Sequence, residues 1–537
     1  MTESNRKLEA NAPARMPLPA EERCFAIILT GLIGLLGAIG LSQHAMWRDE
    51  LNAWLVATES HSWAQLVANV QYEGHPLLWY LSLAAVQRLW ADPRAMQVLH
   101  LALALGSVWL LARYAPFLRW QRLLLVFGYL PFYEYLLISR NYAWGLLSLL
   151  LFCTLWPTRR RTYLGVAIAL VLAANSNAYC FLIAVTLGST LILDARLGTR
   201  ARASRLDCWG SFFLVLIGLA IALATILPPA DSQLQGGFST SWILYFDLRH
   251  FLTALTRVWS SYIVILIPSD SKYFDVVLFA IFSLLLLAGA IARLRRQPAI
   301  LGFYLSSTLA ILGLTYAKFL GSPRHFGHLF IVLLVALWLS HDSPTTQHAA
   351  PVRPSSKFKG KILKLPDFIG SSRRRARLWR RVQATGFAII LLGQTLGGLV
   401  AFSRDLVVPY SAGRATAEFI RRQGWAADFI VGSQDMAMAT LAGYLDREIY
   451  YPEIQALGSF VLFTGDRQPL PMQSIFEQLQ DLLHAQESIL LILNYELRAE
   501  HRELAIAPLA AFTDSLIFNE KYFLYRVSTK PRAARPD

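Results

Sequence analysis

The chain has 537 residues, of which 55% are hydrophobic and 16% are charged. A soluble protein would carry about 25% charged residues, so this composition excludes an ordinary water-soluble domain. The net charge is +15, but the arginines gather in short loops between apolar runs, as the positive-inside bias and anionic membrane lipids favour. We therefore expect contact with anionic membrane lipids and no binding of nucleic acid. The four cysteines form no Cys-x-x-Cys pair, which indicates neither a zinc site nor a disulfide framework.

Repeated apolar runs predict an all-α polytopic membrane protein with about eleven transmembrane helices. The predicted spans are 24–43, 96–112, 121–138, 141–157, 162–178, 179–195, 208–228, 273–292, 299–317, 326–341 and 383–402. Two further apolar segments, 75–91 and 251–267, are short and each contains an arginine. If both of them crossed the membrane, the count would rise to about thirteen.

The arginine-rich loops decide the topology. If residues 1–23 form a cytoplasmic tail and neither ambiguous segment crosses, the basic loops all face the cytoplasm, as the positive-inside rule favours. These loops contain Arg113, Arg119, Arg122, Arg159, Arg160, Arg161, Arg196, Arg200, Arg202, Arg205, Arg293, Arg295 and Arg296. We therefore expect 75–91 and 251–267 to lie along the outer surface of a plasma membrane, which in a bacterium is the inner membrane.

The C-terminal part of the chain has a different character. Residues 342–382 read as a basic cytoplasmic linker, and the last span, 383–402, leads into residues 403–537. In that tail, helical patterns (Ala412–Gln423, Pro471–Gln486, Glu500–Ala511) alternate with β-like runs (Phe429–Gly432, Phe460–Phe463, Ile489–Leu493, Tyr522–Val527). The alternation predicts a small extracytoplasmic α/β domain, and the tail contains no Gly-rich nucleotide-binding loop.

The loop 44–95, which follows the first span, contains the most informative residues. Asp49 and Glu50 stand in W-R-D-E-L-N-A-W at the membrane boundary. They are candidate catalytic groups, because a desolvated carboxylate has a pKa closer to neutrality and serves as a general base for an acceptor hydroxyl. The alternative is that both are solvated acids at the start of an amphipathic helix.

Glu73 and His75 form a second candidate pair in the same loop, for substrate binding. Asp49 and His75 together are candidate ligands of a divalent cation, and an oxygen-rich set with one imidazole suits Mg²⁺ or Mn²⁺ better than zinc. The E-x-H-P stretch is also typical of an ordinary helix start with Pro76 at the first position.

Isolated arginines occur in two other predicted outer turns. Arg140 is followed by Tyr142, and Arg324 is followed by His325. We interpret these four residues as substrate-binding, with the guanidinium groups holding the phosphate of a lipid-linked substrate. The alternative is that the arginines extend to lipid headgroups.

Over residues 24–340 the chain resembles the C-type glycosyltransferases that use polyprenyl-phosphate sugars, among them protein O-mannosyltransferases and lipid A aminoarabinose transferases. The resemblance lies in W-x-D-E-x-x-A-W at 47–54, H-P-L-L-W-Y at 75–80, R-x-Y at 140–142 and P-R-H at 323–325. The order of these short motifs and their placement in outer loops carry it. A soluble extracytoplasmic tail is also common in this class.

The resemblance implies a polytopic catalytic core (24–341) that builds a cell-envelope glycan. It implies that Asp49 matches the catalytic aspartate, and that Arg140 and Arg324 lie near the donor phosphate. The sugar would pass with inversion from a polyprenyl-phosphate donor to a hydroxyl on a lipid, glycan or protein acceptor. The chain departs from the family at Ser139–Asn141, where many members have a second acidic residue, and at Asn175 and Asn177, where related sequences often have a histidine.

Two other functions remain open from the sequence. A polytopic transporter or lipid flippase without transferase activity would need ionisable residues deep in the membrane, and Glu134 is the main such residue. A non-catalytic scaffold would use the tail 403–537 to bind a partner.

Overall fold

A computed structural model describes residues 20–197, 203–234, 242–265, 269–341, 373–499 and 501–530. Most of the predicted cytoplasmic tail 1–23 and of the basic linker 342–382 lies outside these residues. Within the described residues, eight helices are long and apolar enough to span a membrane, and they indicate a membrane-embedded protein.

The structure begins with long and short helices in alternation. In chain order, the helices up to residue 174 are α1 (Ala20–Gln43), α2 (Arg48–Glu59), α3 (Trp63–Gln71), α4 (Leu78–Gln87), α5 (Arg94–Tyr114), α6 (Arg119–Val126), α7 (Tyr142–Leu155) and α8 (Leu164–Ala174). A π-helical turn, Tyr129–Glu134, lies between α6 and α7, and a 3₁₀ turn, Trp156–Arg160, follows α7. The next helices are α9 (Ala178–Leu197), α10 (Arg205–Ile226), α11 (Leu248–Tyr262), α12 (Lys272–Leu294), α13 (Pro298–Ala317), α14 (Pro323–Phe326), α15 (His328–His341) and α16 (Arg373–Val407).

Three predicted spans differ from the helices that the structure contains. The segment 121–138 is not one helix: α6 ends at Val126, and the chain continues through Gly128 into a π-helical turn that contains Pro131, which has no N–H to donate. The helices α7 and α8 have 14 and 11 residues and are shorter than the roughly 20 residues that cross a bilayer directly. The count of about eleven spans therefore stays a prediction.

The two ambiguous segments contain helices below spanning length. Segment 75–91 contains α4, which has 10 residues, and segment 251–267 overlaps α11, which has 15. Neither belongs to the eight candidate spans among the described residues. Their predicted position along the surface stays a prediction, because α7 and α8 are equally short.

Differences in burial distinguish helices in the centre of the bundle from helices that face lipid. Helix α15 is almost wholly enclosed by its neighbours, whereas α12 exposes large apolar side chains such as Tyr273, Ile281 and Leu285. Exposed apolar surface of this extent is expected where lipid replaces water. The helix α16 packs closely against the chain near Gly128. A Cβ atom at Gly398 would lie only 2.5 Å from the carbonyl oxygen of Phe127, so only glycine allows this approach.

The C-terminal domain is a six-stranded mixed sheet with helices. Its elements are α17 (Gly413–Arg422), β1 (Ile430–Ser433), α18 (Asp435–Leu445), β2 (Ile449–Tyr451), β3 (Ala456–Gly458), α19 (Met472–Leu482), β4 (Ile489–Leu493), β5 (Leu504–Phe512) and β6 (Tyr522–Thr529). The strand order is β3-β2-β1-β4-β6-β5. Strand β1 is parallel to β2 and β4, and the other pairs are antiparallel.

Two predictions within this domain are wrong. The sequence predicts a helix over Glu500–Ala511, but Leu504–Phe512 form strand β5, which pairs with β6 along its length, and residue 500 lies outside the described residues. Pro508 is tolerated there because β5 is an edge strand with an irregularity after that residue. The run Phe460–Phe463 is not a strand but an extended segment that contacts α2 through Val461.

The predicted outer loops meet at one end of the bundle, which we call the site end. There Arg324 contacts Asp49, and the main chains of Gln233 and Phe463 are hydrogen-bonded. At the opposite end, Arg119 and Arg122 contact Glu22 at the start of α1. The C-terminal domain packs on the site end.

Candidate active site

Asp49 lies in the first turn of α2, immediately after the first long helix. Acidic residues suit this position because the helix N-terminus carries partial positive charge. The Asp49 side chain keeps 33% of its surface exposed. The carboxylate is therefore held by the fold and yet accessible to a substrate.

Three guanidinium groups share the Asp49 carboxylate. Arg324 Nη1 lies 3.3 Å and Arg140 Nη1 lies 3.7 Å from Asp49 Oδ2, and Arg48 Nε lies 3.7 Å from Oδ1. Arg48 precedes Asp49 in the chain, whereas Arg140 lies just before α7 and Arg324 lies in α14. The fold thus brings together Asp49, Arg140 and Arg324, as the sequence predicts.

The charges around Asp49 determine its protonation. Burial alone would raise the pKa of the carboxyl group, but Arg140, Arg324 and Arg48 outweigh burial and hold the pKa below its ordinary value. The expectation that desolvation moves this pKa towards neutrality is therefore wrong. Asp49 is ionised at neutral pH.

Arg140 is fixed by the start of α2 and by His75. It donates to the main-chain oxygen of Asp49 and lies 3.0 Å from His75 Nε2. An arginine can only donate, so Nε2 of His75 accepts and its proton is on Nδ1. Burial and the adjacent Arg140 lower the pKa of His75 to about 3. His75 is thus a neutral residue that orients Arg140.

Arg324 contacts Glu134, the residue that a transporter function would need deep in the membrane. Its Nε lies 3.5 Å from Glu134 Oε1 and donates to Ser322 Oγ at 3.1 Å, and its guanidinium lies over the Trp47 ring at 4.9 Å. Glu134 also accepts from the Tyr129 hydroxyl at 2.8 Å. Glu134 is therefore paired at the site end rather than isolated in the bundle.

Glu73 lies beside this cluster and has a different environment from Asp49. It accepts from Asn52 Nδ2 at 3.0 Å and from the Tyr80 hydroxyl at 3.1 Å. Burial raises the pKa of Glu73 to about 7, although Arg140 opposes the shift. The site thus holds one ionised carboxylate and one that titrates near neutrality, a combination frequent in acid–base chemistry.

Glu50 has no direct access to the site, so we correct its predicted catalytic role. It is fully buried, lies 3.0 Å from His44 Nε2 and accepts from the Ser139 N–H at 2.7 Å. His44 Nδ1 lies 2.7 Å from Asp405 in α16. Burial would lower the pKa of His44, but Glu50 and Asp405 outweigh it and raise this pKa to about 10. The triad joins α16 to the residues next to Asp49 and Arg140.

Tyr142 and His325 support the site from behind. Tyr142 is 2% exposed and stacks on Tyr135 at 5.6 Å, and the Tyr135 hydroxyl donates to the main-chain oxygen of Arg324. His325 Nδ1 accepts from the Ser322 N–H at 3.0 Å and packs edge-on against Tyr142. The predicted substrate contact of Tyr142 is therefore corrected to a supporting role, because Tyr142 presents almost no surface.

No protein-family model matches the chain, and neither curated proteins nor solved structures give a match. The function is therefore argued from the residues and their geometry.

The predicted divalent cation does not fit the site as it stands. Three guanidinium groups already neutralise Asp49, and Nε2 of His75 faces Arg140 instead of Asp49. The described residues contain no group of three His, Cys, Asp or Glu side chains that could hold a metal ion. Mg²⁺ and Mn²⁺ stay a prediction, and we derive no step through them.

The sequence did not indicate several residues that complete the site. His44, Asp405 and Glu520 contribute from the ends of α1 and α16 and from the C-terminal domain. Glu520 Oε1 accepts from the Arg48 N–H at 3.4 Å, and burial raises the pKa of Glu520 to about 7. One feature of the sequence could have pointed to these three residues: each is a titratable residue beside an apolar segment.

Proposed function

We propose that the protein is a membrane glycosyltransferase that transfers a sugar from a polyprenyl-phosphate donor to an acceptor hydroxyl. One observation carries this proposal. An ionised, partly exposed aspartate is shared by three guanidinium groups at one end of an otherwise apolar helical bundle. Such a site combines a base with a binding place for an anion at the boundary between lipid and water.

The arginines support a phosphate-containing substrate. The side chains of Arg140 and Arg324 are 10% and 11% exposed, so their charges are poorly solvated and gain from an additional anion. A guanidinium group donates two parallel hydrogen bonds to a phosphate, which fixes its orientation. The negative charge that develops on the departing phosphate is stabilised by the same two groups.

The transfer is a single displacement. The acceptor oxygen forms a bond to the anomeric carbon, and the bond from that carbon to the phosphate oxygen breaks. The acceptor proton passes to the Asp49 carboxylate, and the electron pair leaves with the polyprenyl phosphate. Attack from the side opposite to the phosphate inverts the anomeric configuration.

Donor binding also explains how an aspartate with a lowered pKa becomes a sufficient base. Arg140 and Arg324 stabilise the ionised form of Asp49. When these guanidinium groups turn to the donor phosphate, Asp49 loses part of that stabilisation and gains a negatively charged neighbour. Both changes raise its affinity for a proton at the stage at which the acceptor must lose one.

The arrangement of the chain around the site completes the proposal. Residues 24–341 form a catalytic core of the C-type glycosyltransferase kind, with a cytoplasmic N-terminus in the plasma membrane, or in the inner membrane of a bacterium. The site end and the domain 403–537 face the extracytoplasmic side, where the acceptor, a lipid, glycan or protein of the cell envelope, receives its sugar.

The experiment is a comparison of lipids and glycans by mass spectrometry in cells that lack the protein and carry a replacement gene. Replacement by the wild type is expected to restore a glycosylated product that Asp49→Asn fails to restore, although the variant is inserted and folded. The control is Asp514→Asn, which makes the same chemical change at an exposed residue of the C-terminal domain. Full restoration by Asp49→Asn would remove Asp49 from the mechanism, and uptake by purified protein in vesicles without sugar transfer would favour a transporter.

A further inference from the structure

The exposed apolar surface of the helical bundle continues to the point where the C-terminal domain begins. Helix α16, one of the candidate membrane spans, ends at Val407, and the side chain of Val407 is 82% exposed. Val400 and Leu406, in the last turns of α16, are exposed as well. Lipid covers exposed apolar side chains of this kind on a spanning helix. The chain therefore leaves the membrane close to Val407.

The neighbouring helix α1 ends at nearly the same height. A Cβ atom at Gly40 would lie 2.8 Å from the ring of Phe402, so α1 and α16 lie side by side at these residues. Both helices run towards the site end; α1 ends at Gln43 and α16 ends at Val407. At 1.5 Å per residue, the two ends differ in height by about 3 Å. Val407 therefore lies at the boundary between the acyl chains and the lipid headgroups.

The loop Ser515–Glu520 of the C-terminal domain is fixed beside this boundary. The N–H groups of Leu516 and Ile517 donate to the main-chain oxygens of Pro409 and Tyr410 at 2.9 and 3.2 Å. The side chains of Leu516 and Ile517 pack against the apolar core of the bundle. The loop is therefore attached to the residues that directly follow α16.

Phe518 comes directly after these two anchored residues, and its side chain is 87% exposed. The loop is held on its other side as well, because the Ala412 N–H donates to the main-chain oxygen of Glu520 at 3.1 Å. Elsewhere in the described part of residues 410–530, the exposed large apolar side chains are those of Ile454, Leu457 and Tyr495, at 37–51%. Single exposed apolar residues need no explanation on a soluble surface. Phe518 differs from them because it combines the greatest exposure with a fixed place beside the end of a candidate span.

Basic residues lie close to the exposed ring and to the end of α16. Lys521 Nζ lies 5.7 Å from the centre of the Phe518 ring, and Arg404, in the last turn of α16, is exposed. At a membrane boundary, aromatic rings lie at the level of the headgroups, and lysine and arginine extend their charges to the phosphates. Basic residues at this level are also attracted to anionic lipids. The loop therefore matches a lipid surface in both its apolar and its charged groups.

We propose that Phe518 inserts into the membrane leaflet at the site end, with Lys521 at the lipid phosphates. The C-terminal domain then has a membrane contact of its own, in addition to its covalent connection to α16. The same loop contains Glu520, which accepts from the Arg48 N–H beside Asp49, so this contact holds the domain over the candidate active site. The inference goes beyond the proposed glycosyltransferase and does not depend on sugar transfer, because only the end of α16 and the loop carry it.

The test uses the full-length protein in vesicles of phosphatidylcholine and phosphatidylglycerol. The photoreactive residue p-benzoylphenylalanine, which forms a bond to a neighbouring C–H group on illumination, is placed at position 518 in place of Phe518. Mass spectrometry of the illuminated protein is expected to show lipid adducts. The matched control has the same residue in place of Leu457, an exposed apolar residue of strand β3, and is expected to show no lipid adduct.

The outcomes decide between a lipid surface and other neighbours. Absence of a lipid adduct at position 518, or equal adducts at positions 518 and 457, overturns the proposal. A crosslink from position 518 to a second copy of the chain, without lipid adducts, overturns it too and assigns the loop to a contact between copies. Lys521→Gln, combined with the probe at position 518, is expected to lower the share of phosphatidylglycerol among the adducts, and an unchanged share overturns the contact of Lys521 with the phosphates.

Discussion

The two ends of the helical bundle both contain arginine–carboxylate contacts, but the contacts differ in kind. At the opposite end, Arg122 Nη2 lies 2.6 Å from Glu22 Oε2, and Arg159 Nε lies 2.9 Å from Asp194 Oδ2. Each of these arginines also donates to a main-chain oxygen nearby. At the site end, three arginines share Asp49 at 3.3–3.7 Å. The contacts at the opposite end are short and each joins one carboxylate oxygen to one guanidinium group, whereas at the site end one carboxylate is shared by three guanidinium groups at longer distances, which favours the binding of a further anion.

The largest expected loss of sugar transfer follows substitution of the arginines that share Asp49. Arg140→Gln and Arg324→Gln each remove a donor to the proposed phosphate, and transfer is expected to fall by about 10²–10³-fold, the range for a lost charge-stabilising donor. Arg140→Lys and Arg324→Lys are expected to recover only part of the loss, because lysine keeps the charge but not the planar pair of donors. The measurement is the glycosylated product in the complemented cells. Arg94→Gln at an exposed residue is the control, and equal losses in all variants would contradict a specific role.

The next effect concerns folding rather than transfer. Glu50→Gln leaves His44 with one carboxylate in a fully buried triad, and breaking a buried charged pair costs about 3–5 kcal/mol. We expect a lower midpoint of thermal unfolding in detergent. Glu418→Gln, in an exposed pair with Arg422, is expected to change stability by less than about 1 kcal/mol.

A catalytic role for Glu50 would give the opposite result for stability and for transfer. In that case Glu50→Gln would unfold at the wild-type temperature and would lose transfer per folded molecule. The two measurements together therefore distinguish support of the site from participation in the reaction.

The third prediction is a pH dependence of stability at Glu73. Its pKa is about 7 in the folded protein against an ordinary value of 4.5, so the folded state binds the proton more tightly. Glu73 therefore makes stability fall as the pH rises from about 4.5 to about 7, with a slope of at most about 1.4 kcal/mol per pH unit. Glu73→Gln is expected to flatten this part of the unfolding curve. Glu520 has a pKa shift in the same direction, so part of the slope remains, and an unchanged slope would contradict the assignment.

The smallest effect is expected at the opposite end. Arg119 contacts Glu21 and Glu22 and is largely exposed. Arg119→Gln is expected to alter stability by less than about 1 kcal/mol and to leave transfer unchanged. A large loss of transfer in this variant would remove the distinction between the two ends.

The sequence predicts the membrane class and much of the site because these depend on local patterns. Apolar runs indicate helices, and charged residues such as Asp49, Arg140 and Arg324 stand out in an apolar chain. Their convergence also follows from topology, since loops on one side of a bundle can meet. The sequence could not predict that Asp49 is partly exposed while Glu50 is buried. Adjacent residues in a helix point in different directions, and only the packing of α16 shows which one is enclosed.

The remaining errors have physical causes of the same kind. The segment Glu500–Ala511 has helix-forming residues, but pairing with β6 overrides local preference. The break in 121–138 depends on Gly128 and Pro131, which a hydropathy pattern does not weigh. His44 and Asp405 are separated by 361 positions, and their contact of 2.7 Å requires the whole bundle to be in place.

The central claim is that Arg140 and Arg324 hold a lipid-linked phosphate beside Asp49. It is tested most directly by native mass spectrometry of the purified full-length protein with polyprenyl monophosphate, the proposed leaving carrier, and with the uncharged polyprenol of the same length. We predict that the wild type retains the phosphate-containing lipid in preference to the alcohol, and that the double variant Arg140→Gln/Arg324→Gln loses this preference. Equal retention of both lipids by the wild type, or an unchanged preference in the double variant, would contradict the account.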